Sequence, residues 1–244
     1  MNKPKTNGGK DMDTKVIFTF LKDLEANNSL DWMKANKKVY ENAKAEYEIL
    51  IQELINGISS FDNSVKNLIP KDLIWRLNRD TRFSNDKSPY NPSFRAHISI
   101  AGRNPIPAGY YLNIKPGKIF LGGGLFVPQF PEATKLVRDF IVKNEKEFEK
   151  IIGQKTFAEN FEIVGEKLKN VPKGYDKEHK FAEYLKHKSW DIEYYVQDKV
   201  FLDADKFIKL SIEMFEYMKP FNDYLNRLYT KSCGITKIPC DFFA

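Results

Sequence analysis

A chain of 244 residues with 42% hydrophobic and 14% aromatic content can bury one sizeable core, and nineteen Phe with twelve Tyr argue against intrinsic disorder. No segment approaches the roughly eighteen apolar residues of a membrane span, and the opening MNKPKTNGGKDMD lacks the apolar run of a secretory signal. Thirty-nine Lys and Arg against 33 Asp and Glu give a net charge of +6, a modest excess that is unevenly spread. A cytoplasmic protein without a membrane partner is expected.

Met1 to Met12 are polar and rich in Gly and Pro, and read as a disordered lead-in to a single domain over residues 13–244. Asp13 can cap a helix whose Ile17, Phe20, Leu21 and Leu24 recur at helical spacing, with Asn27 and Asn28 ending it. A longer helix is predicted from Ser29, carrying Trp32, Val39, Ala43, Tyr47, Leu50, Leu54 and Ile58; its aromatic stripe reads as packing rather than as a ligand surface. Strands are expected next. Leu73 to Arg79 alternates apolar and polar residues as an edge or half-buried strand would, although a helix is compatible with so short a run.

Ser84 to Pro92 is dense in turn formers and must be a loop. In the strand from Phe94 to Ala101, Phe94, Ala96, Ile98 and Ile100 share one face, leaving Arg95, His97 and Ser99 on a polar face that can look toward that loop. Tyr110 to Ile114 and Ile119 to Leu121 flank Lys115-Pro116-Gly117-Lys118, a hairpin signal. Gly122, Gly123 and Gly124 follow. They read as a bulge or a close backbone approach in preference to a phosphate cradle, because no Lys-Ser or Lys-Thr succeeds them.

A helix is predicted from Pro131 to Gly153, then a short one near Phe157 to Phe161 and a turn at Pro172-Lys173-Gly174-Tyr175. Glu178 to His187 has helical character and Trp190 to Val196 that of a strand. Asp203 should cap the last helix, with Phe207, Leu210, Met214, Tyr217 and Phe221 on one side and a kink or restart at Pro220. The elements add up to one α+β domain, a mainly antiparallel sheet packed by four long helical segments.

The chemistry concentrates between Leu73 and Tyr90. From Lys71 to Arg103 seven basic residues (Lys71, Arg76, Arg79, Arg82, Lys87, Arg95 and Arg103) face three aspartates, Asp72, Asp80 and Asp86. Clustered guanidiniums repel one another, so carboxylates, carbonyls or an anionic ligand must offset them. Three readings stay open: a pocket for a phosphate-bearing or carboxylate-bearing small molecule, a nucleic-acid or protein-binding surface, or arginines that brace the loop. In the first, Arg76, Arg79, Arg82, Lys87, Tyr90 and Arg95 bind the anion. Asp80 and Asp86 orient them or act as acid or base, and His97 is a candidate base if either aspartate reaches it.

Arg76, Arg79, Asp80, Arg82, Phe83, Asp86, Lys87, Pro89 and Tyr90, written R..RD.RF..DK.PY, resemble the shared pattern of the bacterial domain of unknown function family 2461. The similarity extends to Asn27, Asn28, Asp31 and Trp32, to Gly109-Tyr110-Tyr111, to the glycine run with Pro128, and to Pro172-Lys173-Gly174-Tyr175; Met33 departs from it, since an aromatic is more usual there. The resemblance implies that these residues form a common feature. It implies no particular activity.

Other candidates are weaker. His97, His179 and His187 lack metal-ligand spacing, Cys233 and Cys240 match no zinc or redox motif and read as plain thiols, and no cofactor motif is present. The lysines between Glu166 and Trp190, interleaved with Tyr175, Phe181 and Tyr184, read as a solvated face before a nucleic-acid surface.

Overall fold

The computed structural model describes residues 12–126 and 131–232. Asp13 caps α1 (Thr14–Ala26) by accepting from the backbone N–H of Lys15 at 2.9 Å, and the helix buries Ile17, Phe20, Leu21 and Leu24. Met12, which the sequence assigns to the lead-in, already packs against the core. The next helix is not continuous. It breaks at Asn36 into α2 (Leu30–Ala35) and α3 (Lys37–Ile58), because the Asn36 carboxamide and its backbone N–H both donate to the Trp32 carbonyl, at 2.9 Å each. Val39 is consequently 47% exposed, and the buried stripe of α3 runs from Ala43 through Tyr47, Leu50 and Leu54 to Ile58, joined by Ile51 and Ile55.

The predicted strand at Leu73 to Arg79 is a correction. Pro70 opens the short α4 (Pro70–Leu73), as its fixed φ favours at a first helical position, and the following residues make only isolated bridges, Ile74 with Ala96 and Asn78 with Tyr90. Among the described residues five strands form one antiparallel sheet: β1 (Phe94–Ile98), β2 (Tyr110–Ile114), β3 (Ile119–Leu125), β4 (Ile163–Val164) and β5 (Trp190–Val196), in the order β1-β2-β3-β5-β4. β1 stops short of the sequence expectation, leaving Ile100 63% exposed. The β2–β3 hairpin closes where Pro116-Gly117 place it, with Lys118 N–H donating to the Lys115 carbonyl at 2.8 Å. β4 has two residues, too few to show a period.

Between β3 and β5 lie α5 (Pro131–Lys143), α6 (Glu145–Ile152), α7 (Lys155–Asn160) and α8 (Ala182–Leu185); α9 (Asp198–Phe201) and α10 (Ala204–Ser232) follow. The helix predicted over Pro131 to Gly153 is therefore two, divided at Asn144, whose carboxamide donates to the Phe140 carbonyl at 2.9 Å. The one predicted over Glu178 to His187 shrinks to Ala182–Leu185. Nor does α10 restart at Pro220: the helix runs through it, with Met218, Phe221, Asn222 and Leu225 buried on both sides of the proline, so packing outweighs the lost hydrogen bond. Leu210 and Tyr217 only flank that face, which is completed by Ser211 and Phe215.

The glycine run lies inside β3 and lets α10 approach the sheet. A Cβ on Gly123 would stand 3.1 Å from Asn222 Oδ1 and 3.2 Å from Met218 Sδ. The Gly124 N–H donates to Asn222 Oδ1 at 2.7 Å, and Asn222 Nδ2 donates to the Gly109 carbonyl at 2.9 Å. Close approach to α10 is thus the role of Gly123, and the Gly124 amide is already taken. No helix among the described residues is long and apolar enough to cross a membrane. Cys233, Cys240 and Pro128 lie outside the described residues.

Candidate anion-binding site

The loop after Arg79 is stapled at its base. Arg79 N–H donates to the Pro89 carbonyl at 2.9 Å, and Asn91 N–H to that of Leu77 at 2.7 Å. Asn28, just beyond α1, takes both backbone groups of Tyr90: its Nδ2 donates to the carbonyl at 2.9 Å and its Oδ1 accepts from the N–H at 3.1 Å. A carboxamide has the donor and acceptor of a strand partner, and Asn28 serves as one. In the sequence Asn28 reads as a helix stop and as part of the family resemblance, with no partner indicated.

Inside the loop the cations take separate partners. Arg79 is ion-paired with Asp86. Arg82 grips Asp80 from Nε at 3.0 and 3.1 Å and from Nη2 at 2.6 Å, while Asp80 also accepts from the Arg82 backbone. Lys87 Nζ donates to the Thr81 carbonyl at 2.9 Å. Arg76 is exposed and has no side-chain partner among the described residues. The convergence that the pocket reading expects is replaced by local pairing, because the loop turns Asp80 back on Arg82, two residues on, and Asp86 on Arg79, seven residues before it. The Arg79 guanidinium, helped by Ser88, holds the Asp86 carboxyl far below the usual range, and Arg82 lowers that of Asp80. Both therefore stay ionised at neutral pH and are poor proton donors.

His97 and Arg95 meet this stretch only through Trp75. His97 is fully buried between Trp75, at 6.5 Å between ring centroids, and the edge of Phe126, at 5.2 Å. Neither of its nitrogens has a hydrogen-bond partner among the described residues, so neither aspartate reaches it. Burial lowers its pKa to about 4, against an opposing pull from the backbone of Asn104 and Gly102. A base needs proton access, and this imidazole is sealed. The Arg95 guanidinium lies 5.8 Å from the Trp75 ring centroid, with Nε buried and unpartnered among the described residues.

Tyr90 is buried too, but together with Leu77 and Asn78 it forms one wall of a cleft of about 270 Å³. The opposite wall comes from α2 and α3: Leu30, Met33, Lys34, Lys37 and Tyr40. Lys37 has only an exposed partner, Glu41 at 3.8 Å, and Lys34 has no ion pair among the described residues. Burial, with Glu48 beside it, raises the Tyr40 phenol above its usual range. Neither lysine stands out in the sequence, since their stretch reads as one packed helix. The signal was Asn36, a helix breaker between two cations.

Elsewhere, Lys180 pairs with Glu149 at 2.9 Å, Lys188 with Glu166 at 3.3 Å and Lys186 with Glu183, as a solvated face would. His179 is 3.7 Å from Glu145, and His187 is buried, its pKa lowered to about 4 by burial and by Lys167. Among the described residues no group of three His, Cys, Asp or Glu side chains is placed to hold a metal ion.

No curated protein and no solved structure gives a significant match to the chain. A family model does match, over residues 16–224, a span that takes in the loop, the cleft and the whole sheet; its description is Conserved hypothetical protein (DUF2461), and the chain belongs to that family.

Proposed function

We propose that the protein is a cytoplasmic binder of a small anionic molecule, a phosphate or carboxylate with an apolar body, which it holds in the cleft between α2, α3 and the loop base. The observation that carries this reading is the pairing of Lys34 and Lys37 with Asn78 and Tyr90 across one cleft, one residue from Arg79. The lysines and the Asn78 amide suit an oxyanion, while Leu30, Met33 and Leu77 suit the apolar part. Arg79 directly follows Asn78 of the cleft wall, and Arg76, Arg82 and Lys87 lie on the same stretch as further cations for the ligand, outside the cleft lining itself. Exposed ion pairs contribute little net stability, so a ligand oxyanion can take the place of Asp80 or Asp86 on either guanidinium. The reading is of binding, with no reaction assigned.

A second reading rests on Phe83, which is 97% exposed at the loop tip with the Arg82 guanidinium 5.9 Å from its ring centroid. A bare ring beside a cation suits an unstacked base. Thermal-shift screening of phosphorylated and carboxylated small molecules separates the two. The cleft reading expects a ligand that raises the wild-type melting temperature and whose effect disappears in Lys34→Ala and Arg79→Ala while both stay folded. Affinity for single-stranded nucleic acid that falls by decades across a fourfold salt change, and is lost in Phe83→Ala, would replace it with the second reading. If Arg79→Ala and Arg82→Ala simply unfold, the arginines are braces.

A further inference from the structure

On the sheet face turned from α10, one position without a side chain is ringed by aromatic and acidic neighbours. Tyr111 of β2 pairs with Gly122 of β3, and Gly122 pairs with Glu193 of β5. Phe120 stands opposite Tyr195, and Asp191 lies two residues before Glu193 on β5. Side chains two apart in a strand share a face, so these residues rise on the same side, opposite to the Gly123 position that α10 covers. They enclose a hollow of about 190 Å³ lined by Tyr111, Phe120, Gly122, Phe126, Asp191 and Glu193.

Its walls are rings: the centroids of Tyr111 and Phe126 are 5.0 Å apart and those of Tyr111 and Phe120 5.7 Å. Its charges are two carboxylates, and among the described residues no Lys or Arg lines it, in a chain whose net charge is +6. Glu193 accepts from the Tyr195 hydroxyl at 2.6 Å. Asp191 Oδ1 is buried and has no hydrogen-bond partner among the described residues. Arg95, on β1, lies outside the lining; its guanidinium stands against Trp75 and also reaches the Tyr111 hydroxyl, whose ring face is left to the hollow.

Faces of aromatic rings attract cations electrostatically, most strongly when the cation sheds its water. A metal ion would want three or more protein ligands, and among the described residues no such group of His, Cys, Asp or Glu side chains is placed here. An alkylated ammonium is weakly hydrated, matches the rings in shape, and is neutralised by the carboxylates. We propose that the hollow is a binding site for a small organic cation with an alkylated ammonium head, held by Tyr111, Phe120 and Phe126 and neutralised by Glu193 and Asp191. Burial, countered by Ser189 and reinforced by Glu193, raises the Asp191 carboxyl above its usual range, a direction that a cation beside it reverses. The site is independent of the anion cleft.

Calorimetric titration of the full chain with choline tests it, beside the uncharged isostere in which tert-butyl replaces trimethylammonium. Gly122→Ala is the blocking variant: its added methyl would lie 3.4 Å from Tyr111 Cβ, an ordinary contact, and the backbone there is not left-handed, so the fold is kept while the hollow fills. The expected results are choline binding that weakens at least about tenfold in Gly122→Ala and in Glu193→Gln, and an isostere at least about tenfold weaker than choline on the wild type. Equal binding of the isostere, unchanged choline binding in a folded Gly122→Ala, or no binding of choline or tetramethylammonium at all would each overturn the proposal.

Discussion

His97 shows how a single buried residue couples this fold to pH. Its imidazole is held neutral, with a pKa of about 4 against an ordinary 6.5, and desolvation is the main cause. Between those values the unfolded chain binds a proton that the folded chain refuses. Stability therefore rises with pH across the window and is lost as pH falls from 6.5 toward 4. A difference of this size corresponds to at most about 3 kcal/mol. The lowered carboxyls of Asp80 and Asp86 have the same sign but act at lower pH, below the usual carboxylate range. Urea midpoints measured from pH 7 down to pH 4 should decline in the wild type, and His97→Leu, apolar in an aromatic pocket, should flatten the part of that decline that His97 supplies. An unchanged decline in His97→Leu would assign it to other groups, His187 first among them, whose imidazole is lowered in the same direction.

At the scale of elements, what the sequence disclosed depended on whether the signal was local. The Asp13 cap, the Pro116-Gly117 turn and the Asp203 cap each rest on residues a few positions apart, and each forms as expected. The break at Asn36 escaped detection because apolar spacing continues across it, and the strand predicted at Leu73 to Arg79 shows alternation without a laddered partner. The glycines of β3 could be read only as a choice between cradle and contact, since what Gly123 and the Gly124 amide touch lies about a hundred residues away, on α10. Their roles differ in a measurable way. Gly117 and Gly124 both have positive φ, +77° and +79°, but a Cβ on Gly117 meets nothing within 4 Å, whereas one on Gly124 would lie 2.1 Å from the Trp190 carbonyl oxygen. Gly117→Ala should cost about 1–2 kcal/mol, the strain of a left-handed residue. Gly124→Ala adds a collision with the backbone of β5 and should cost more than about 4 kcal/mol or prevent folding. Chemical denaturation of the two variants compares them directly, and equal losses would mean that β5 yields without resistance.

For the molecule as a whole, the candidate binding region and the source of stability are set apart. α10, the sheet and α3 share the buried core, whereas the cleft and the arginine loop lie where α2, α3 and an irregular segment meet. The loop's cationic character was legible because charge is a property of composition; its internal pairing was not, because which aspartate meets which arginine depends on how the loop turns back at its stapled base. Two asparagines make the separation testable. Asn28 fastens that base through the backbone of Tyr90, and Asn222 fastens β3 and the residue before β2 to α10. Asn222 is buried, so Asn222→Ala leaves an amide and a carbonyl unpaired away from water and should lower global stability by about 2–4 kcal/mol. Asn28→Ala frees groups nearer the surface. It should lower the denaturation midpoint much less, yet speed hydrogen exchange through residues 79–90 and weaken anion binding in the cleft, because Tyr90 forms one of its walls. Asn222→Ala should leave exchange in that loop as it is under conditions where the protein remains folded. If Asn28→Ala instead unfolds the whole chain to the extent that Asn222→Ala does, the loop belongs to the same cooperative unit as the sheet, and ligand binding there would have to be coupled to global stability.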